Sequence, residues 1–120
     1  MSDRPIILIV EDDADCRAVL QDLLELNGYT VRTCENAHHA IEEARTRRPS
    51  LMLLDYLMPD GDGGWVVRTL REEGVDVPVV LTTGLNEGRE QADRLGVQSL
   101  EKPFDISRLL QLVRSLVPQA

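Results

Sequence analysis

The chain has 120 residues, which fits one ordinary domain and leaves no room for two. Hydrophobic residues make up 42% and charged residues 28%, so the chain can bury a core and is not a disordered tail. With 13 basic and 21 acidic residues the net charge is −8, and aromatics are only 3%; these values disfavour nucleic-acid binding, which needs a positive patch or a stacking platform, and an anionic membrane surface.

Met1-Ser2-Asp3-Arg4-Pro5 opens the chain with one basic residue. The apolar run that follows is short and meets Glu11-Asp12-Asp13, so it does not read as a signal peptide. No apolar run approaches the roughly 20 residues of a membrane span. Ile6 to Val10 is a continuous β-branched run, suited to a strand buried on both faces. Cys16, Val19, Leu20, Leu23 and Leu24 then recur at helical spacing, and Asn27-Gly28 is a stop signal. Tyr29 to Cys34 reads as a second strand. Asn36 can cap a helix with an inner stripe of Ala37, Ala40, Ile41 and Ala44, closed by Arg45, Arg47 and Arg48 and ended by Pro49.

Leu51 to Leu54 is a third buried strand. A loop from Tyr56 to Gly64 leads into a short helix carrying Val66, Val67 and Leu70. Val79 to Leu81 is a fourth strand, and Asn86 to Leu95 is weakly helical with few apolar positions. Leu100 lies in a short fifth strand. Asp105 can cap a last helix whose inner face is Ile106, Leu109, Leu110, Val113, Leu116 and Val117. Cys16 and Cys34 belong to no C-x-x-C pair and read as buried small hydrophobes in a reducing compartment. The expectation is one cytoplasmic domain over residues 1–120 with no internal boundary.

Strands alternating with helices imply a (βα)5 α/β fold: a doubly wound three-layer sandwich around a five-stranded parallel sheet. Ligands in such sheets bind beyond the carboxyl ends of the strands. There the sequence places Glu11-Asp12-Asp13, Asp55, Thr82-Thr83-Gly84 and Glu101-Lys102-Pro103-Phe104. Two unit charges about 5 Å apart repel by roughly 3 kcal/mol at an effective dielectric near 20, so clustered carboxylates need a cation or a proton. All-oxygen ligands favour Mg²⁺, which also accepts phosphate oxygens. Lys102 adds a mobile point charge that can pair with phosphate, and Thr83 a hydroxyl donor.

Each residue alone has a plainer explanation. Acids before a helix serve as caps, Asp55 could open a loop, and a lone lysine is usually solvated. Their joint placement on one rim is the argument. Ile6 to Asp13, Asp55-x-x-Met58-Pro59-x-x-x-Gly63, Pro78 to Gly84 and Lys102-Pro103-Phe104 together resemble a response-regulator receiver domain, over essentially the whole chain and in the family's motif order. The resemblance implies a flavodoxin-like strand order 2-1-3-4-5 and Asp55 as phosphoacceptor. It implies Mg²⁺ held by Glu11, Asp12, Asp55 and the Leu57 backbone carbonyl, with Thr83 and Lys102 on the phosphoryl oxygens. It also implies a cis Lys102–Pro103 bond. The implied partners are a sensor histidine kinase or phosphotransfer protein and a downstream protein or attached effector domain. The chain would catalyse its own phosphorylation and autodephosphorylation without being a conventional enzyme.

The chain departs from the family where an aromatic usually stands three places before the lysine: here the residue is Ser99. The segment from Thr83 to Lys102 is shorter than the family norm, so the fourth helix is expected to be short or mobile, and Gly84 to loosen the loop before it. Other motifs fail. Asp60-Gly61-Asp62-Gly63 has the look of a calcium loop, but its twelfth position is Arg71 rather than Glu. No G-x-G-x-x-G or G-K-[ST] exists, and Asp55-Tyr56-Leu57 lacks the second Asp of a haloacid-dehalogenase-type phosphatase. His38 and His39 are expected on a helix surface, and Trp65 in packing or at an exposed contact. Two other functions compete with the phosphorylated switch: a receiver-like interaction module whose output ignores phosphorylation, and a Mg²⁺-dependent phosphohydrolase, disfavoured because no separate general base is apparent.

Overall fold

The computed structural model describes residues 4–117. Met1 to Asp3 of the opening segment and the last three residues of the expected 1–120 domain lie outside the described residues. Strands and helices alternate along the chain: β1 (Ile6–Val10), α1 (Ala14–Leu26), β2 (Thr30–Cys34), α2 (Ala37–Thr46), β3 (Leu51–Asp55), α3 (Gly63–Glu72), β4 (Val79–Thr83), α4 (Asn86–Leu95), β5 (Gln98–Glu101) and α5 (Ile106–Leu116). All neighbouring strands pair in parallel, in the order β2-β1-β3-β4-β5. The expected fold class and strand order are both present.

The pleat of the sheet splits the core in two. Ile7, Ile9, Leu51, Leu53 and Val80 face α1 and α5, where they meet Leu20, Leu24, Leu109, Leu112 and Val113. Leu8, Val10, Met52, Leu54 and Leu81 face the other way, against Ala37, Ala40 and Ile41 of α2, Val66 and Leu70 of α3, and Ala92 of α4. Helices on both faces explain why β1, β3 and β4 read as unbroken apolar runs.

The helix starts follow the sequence. Asn36 accepts from the His39 N–H, Asp105 from Arg108 and Asp62 from Trp65. Asp13 caps α1 by accepting from Asp15 and Cys16. Among the five helices only α4 lacks a side-chain cap; Leu85 stands at its cap position. At the far end of α1, Gly28 takes a φ of +90° that other residues resist.

Several expectations need correction. Val19, which recurs at helical spacing with the apolar residues of α1, and Ile106, expected on the inner face of α5, are 64% and 55% exposed. The α1 seam runs through Leu20 and Leu24, which leaves Val19 on its flank, and Ile106 is the first residue of α5, ahead of the seam through Leu109, Leu112 and Val113. β2 starts at Thr30 rather than Tyr29, while β3 and β4 run on to Asp55 and Thr83. α4 keeps the expected bounds of Asn86 to Leu95 but is not short: it has 10 residues, as many as α2 or α3, and ends in Gly96 at a φ of +69°. Its apolar stripe is thin because its buried positions are Gly88 and Ala92, which let the helix lie close to the strands.

Gly88 marks that closeness. A Cβ added there would lie 2.6 Å from the Thr83 Cβ and 2.8 Å from its Cγ2. Alanine would gain about 1 kcal/mol in helix propensity. Overpacking costs about 1–3 kcal/mol, and no side-chain rotation relieves a contact between two Cβ atoms. Gly88→Ala is therefore expected to destabilise the fold by up to about 2 kcal/mol net, read as a lower urea midpoint.

Candidate functional site at the carboxyl rim of the sheet

Parallel register brings the strand ends to one rim. Val10 lies beside Leu54, Asp55 beside Thr82 and Thr83 beside Glu101. Glu11 leaves β1 with its backbone N–H donating to the Cys34 carbonyl at 3.1 Å. Its carboxylate is 2% exposed, yet it is well provided for. Lys102 Nζ donates to Oε1 at 2.8 Å and the Asp13 N–H to Oε2 at 3.2 Å. The Cys16 thiol donates a further hydrogen bond to it, and Arg17 Nη1 holds the Glu11 carbonyl at 2.8 Å. Asp55 ends β3 and is 6% exposed, with Lys102 Nζ 3.3 Å from its Oδ1.

One carboxylate oxygen from each of Glu11, Asp12 and Asp55 lies within 4.8 Å of the others. Asp12 is the exposed member. Three acids face one ammonium, so the site carries excess negative charge in a partly desolvated place. Hard oxygen donors with one open side suit a divalent cation such as Mg²⁺. Burial, then the neighbouring Glu11, raise Asp55 to about 7. Burial works against ionised Glu11 too, but hydrogen bonds from Lys102, Asp55 and the Asp13 N–H outweigh it and lower Glu11 to about 2. The two acids thus share a proton that a cation would compete with. Burial also opposes the Lys102 charge, and Glu11 and Asp55 overcome it, holding Lys102 above its ordinary value.

Lys102 is fixed from several sides. Its backbone N–H donates to the Thr83 carbonyl at 2.9 Å, the Lys102–Pro103 bond is cis, and Nζ sits 6.0 Å from the centre of the Phe104 ring. Thr83 is brought to the rim, with its hydroxyl engaged by the backbone of Leu85. It accepts from the Leu85 N–H at 2.9 Å and donates to the Leu85 carbonyl at 3.2 Å. Leu57 lies two residues beyond Asp55 in the following loop, with its side chain exposed. Ser99 lines a cavity of only about 20 Å³ with Thr83, Leu85, Asn86, Arg89 and Glu101.

The loop after Asp55 is tightly built. The Gly63 N–H donates to the Tyr56 carbonyl at 2.7 Å, and a Cβ on Gly63 would press on Asp55 O at 3.1 Å and Tyr56 Cα at 3.3 Å. Asp60 accepts from the Ala37 and His38 N–H groups at 2.8 and 2.9 Å and contacts His38 Nδ1, whose ring packs on Trp65. The acids of the rejected calcium motif are therefore occupied at the starts of α2 and α3. Both cysteines are free, and burial pushes each thiol up to about 12. Sequence reasoning missed Arg17 and Tyr56. Arg17 lies one helical turn beyond the Asp13 cap, which was a readable cue. Tyr56 reaches Glu87 through space and left none.

The model of the response regulator receiver domain matches residues 7–114. Response regulator MprA of Mycobacterium ulcerans is 36% identical over 92% of this chain and 49% of its own length. The probable transcriptional regulator ycf27 of Pyropia yezoensis is 36% identical over 95% of this chain and 48% of its own. The chain thus spans about half the length of these curated relatives. Among solved structures, the receiver domain of the Francisella response regulator 1452 superposes with a TM-score of 0.87 at 25% identity, covering 94% of this chain and 96% of that one. Chemotaxis protein CheY4 of Vibrio cholerae gives 0.84 at 24% identity, over 95% of this chain and 99% of that one, and shares the fold. A parallel sheet in this order with an acidic rim and a lysine on the fifth strand's end defines a two-component signalling receiver. The chain belongs to the response-regulator receiver-domain family.

The two buried acids give opposite pH dependences. Asp55 is raised, so its favourable contribution is complete below about pH 4 and lost as pH climbs through about 7. Glu11 is lowered, so its contribution is present above pH 4.5 and lost toward pH 2. In chelator, Asp55→Asn is expected to melt several degrees above the wild type at pH 8, with a smaller gap at pH 5, in thermal scans. An equal gap at both values would contradict the assignment.

Proposed function

We propose that this chain accepts a phosphoryl group on Asp55 from a histidine kinase or phosphotransfer protein and uses the resulting charge to switch a protein-binding surface. The observation that carries this reading is the juxtaposition of buried Asp55 with Glu11, Asp12 and the Lys102 ammonium. An Asp55 oxygen attacks phosphorus, the phosphorus–nitrogen bond of the donor breaks, and the imidazole keeps the electron pair. Lys102 holds a phosphoryl oxygen, and Thr83 supplies a hydroxyl once it leaves Leu85. Glu11, Asp12, Asp55 and the Leu57 carbonyl would hold Mg²⁺, which when bound neutralises charge on the phosphoryl oxygens. Water attack on the aspartyl phosphate then breaks the new P–O bond, restores the carboxylate and releases inorganic phosphate. No external substrate is turned over.

The added charge of about −1.5 to −2 needs partners, and Thr83 and Lys102 are the donors within reach. The upstream kinase, a downstream protein or attached effector, a single domain over residues 1–120 and a cytoplasmic place belong to the same reading. It is supported by the family and by the absence, among the described residues, of any helix long and apolar enough to cross a membrane. A second reading, an interaction module indifferent to phosphorylation, is favoured by Ser99 and by the Thr83 hydroxyl being engaged with Leu85.

Incubation with Mg²⁺ and acetyl phosphate followed by intact-mass measurement tests the reading. One added phosphoryl group is expected in the wild type and none in Asp55→Asn. An unmodified wild type would leave the interaction module. Asp12→Ala is expected to raise the Mg²⁺ concentration for half-maximal labelling by about tenfold or more, since a metal ligand is lost.

A further inference from the structure

An aromatic side chain does reach α4 from the phosphorylation rim, but from the residue that follows β3 rather than from β5. Tyr56 follows Asp55 directly and is 2% exposed. Its N–H donates to the Thr82 carbonyl at 2.9 Å, and its carbonyl accepts from Gly63 at 2.7 Å. Its hydroxyl donates to Glu87 Oε1 at 3.0 Å, in the first turn of α4. Burial and then the Glu87 carboxylate push the Tyr56 hydroxyl up to about 12, so it remains a donor.

We propose that the Tyr56–Glu87 hydrogen bond is a latch that holds α4 in its resting place and opens when Asp55 is phosphorylated. This rests on the phosphoacceptor reading above. The start of α4 is held by one hydrogen bond, from Tyr56 just beyond β3 to Glu87, and packs closely on β4, where Gly88 leaves no room for a Cβ against the Thr83 side chain. The Thr83 hydroxyl now points at Leu85, and it must leave that partner to donate to a phosphoryl oxygen. Gly88 presents no side chain that could give way, so displacement at Thr83 passes straight to the helix. Tyr56 is tied by its backbone to Thr82 and Gly63, neither of which belongs to α4. A shift of the helix start therefore parts the single hydrogen bond on the exposed Glu87. The position left as Ser99 on β5 is thereby served by a different residue.

The test uses the whole chain as wild type, Tyr56→Phe, Glu87→Ala and the double variant, titrated with beryllofluoride and Mg²⁺ and followed by amide NMR. Each single variant is expected to bind beryllofluoride about threefold to tenfold more tightly, because the resting state loses one charge-assisted hydrogen bond. The double variant should gain no more than either single one. Without beryllofluoride, amides of α4 in the variants should move part of the way toward their positions in the wild-type complex. Glu87 is exposed, so Glu87→Ala folds even if Tyr56→Phe does not. Wild-type affinity in Glu87→Ala, or effects that add in the double variant, would overturn the latch. Acetyl phosphate labelling of the wild type separates the two ideas. Labelling with an unresponsive Glu87→Ala overturns the latch alone, and no labelling overturns both.

Discussion

Two buried carboxylates sharing one ammonium are the constraint on which the rim is arranged. Glu11 and Asp55 sit at the ends of adjacent strands, where the apolar sheet denies them water. Such a pair persists only if its remaining lone pairs are met by donors. The chain supplies them through Lys102, the Asp13 N–H and the Cys16 thiol for Glu11, leaving Asp55 the less satisfied of the two. That asymmetry has a chemical meaning. The better hydrogen-bonded acid is held ionised, while burial favours the protonated form of the other. Placement alone has given two carboxylates opposite tendencies.

The two faces of the sheet are built to different tolerances. The α1 and α5 side is packed with leucine, isoleucine and valine. At α4 the opposite side is closed by Gly88 and Ala92, small residues, and Gly88 brings the helix backbone against the Thr83 side chain. Close approach conserves volume without bulky side chains, but it removes the flexible cushion that absorbs small shifts. Displacements at Thr83 and displacements of α4 are therefore nearly the same event.

The sheet and the rim were legible because unbroken apolar runs in regular βα alternation place the strand ends together, and the strand order followed from the resemblance. Asp55 stood out because four buried residues lead straight into it. Lys102 could be placed only with the whole topology in hand, since 91 residues separate it from Glu11. What stayed hidden has physical causes as well. A stripe of glycine and alanine does not register as apolar, so α4 looked weaker than it is. The rotamer of Thr83 depends on the path of the loop through Leu85, which composition does not encode. The Tyr56–Glu87 contact joins residues 31 apart through side chains alone. Val19 and Ile106 look like core residues because an apolar seam has edges that a periodicity cannot locate.

The bare start of α4 bears on how the domain breathes. Four helices begin with a carboxylate or amide gripping their first free N–H groups; the fourth begins at Leu85, whose side chain has nothing to offer. Unwinding one turn there breaks no side-chain cap, and the Tyr56–Glu87 hydrogen bond is what opposes it. Thermal agitation will thus sample altered surfaces beside Thr83 ahead of any chemistry, and a binding protein could capture one of those fleeting shapes without waiting for the kinase.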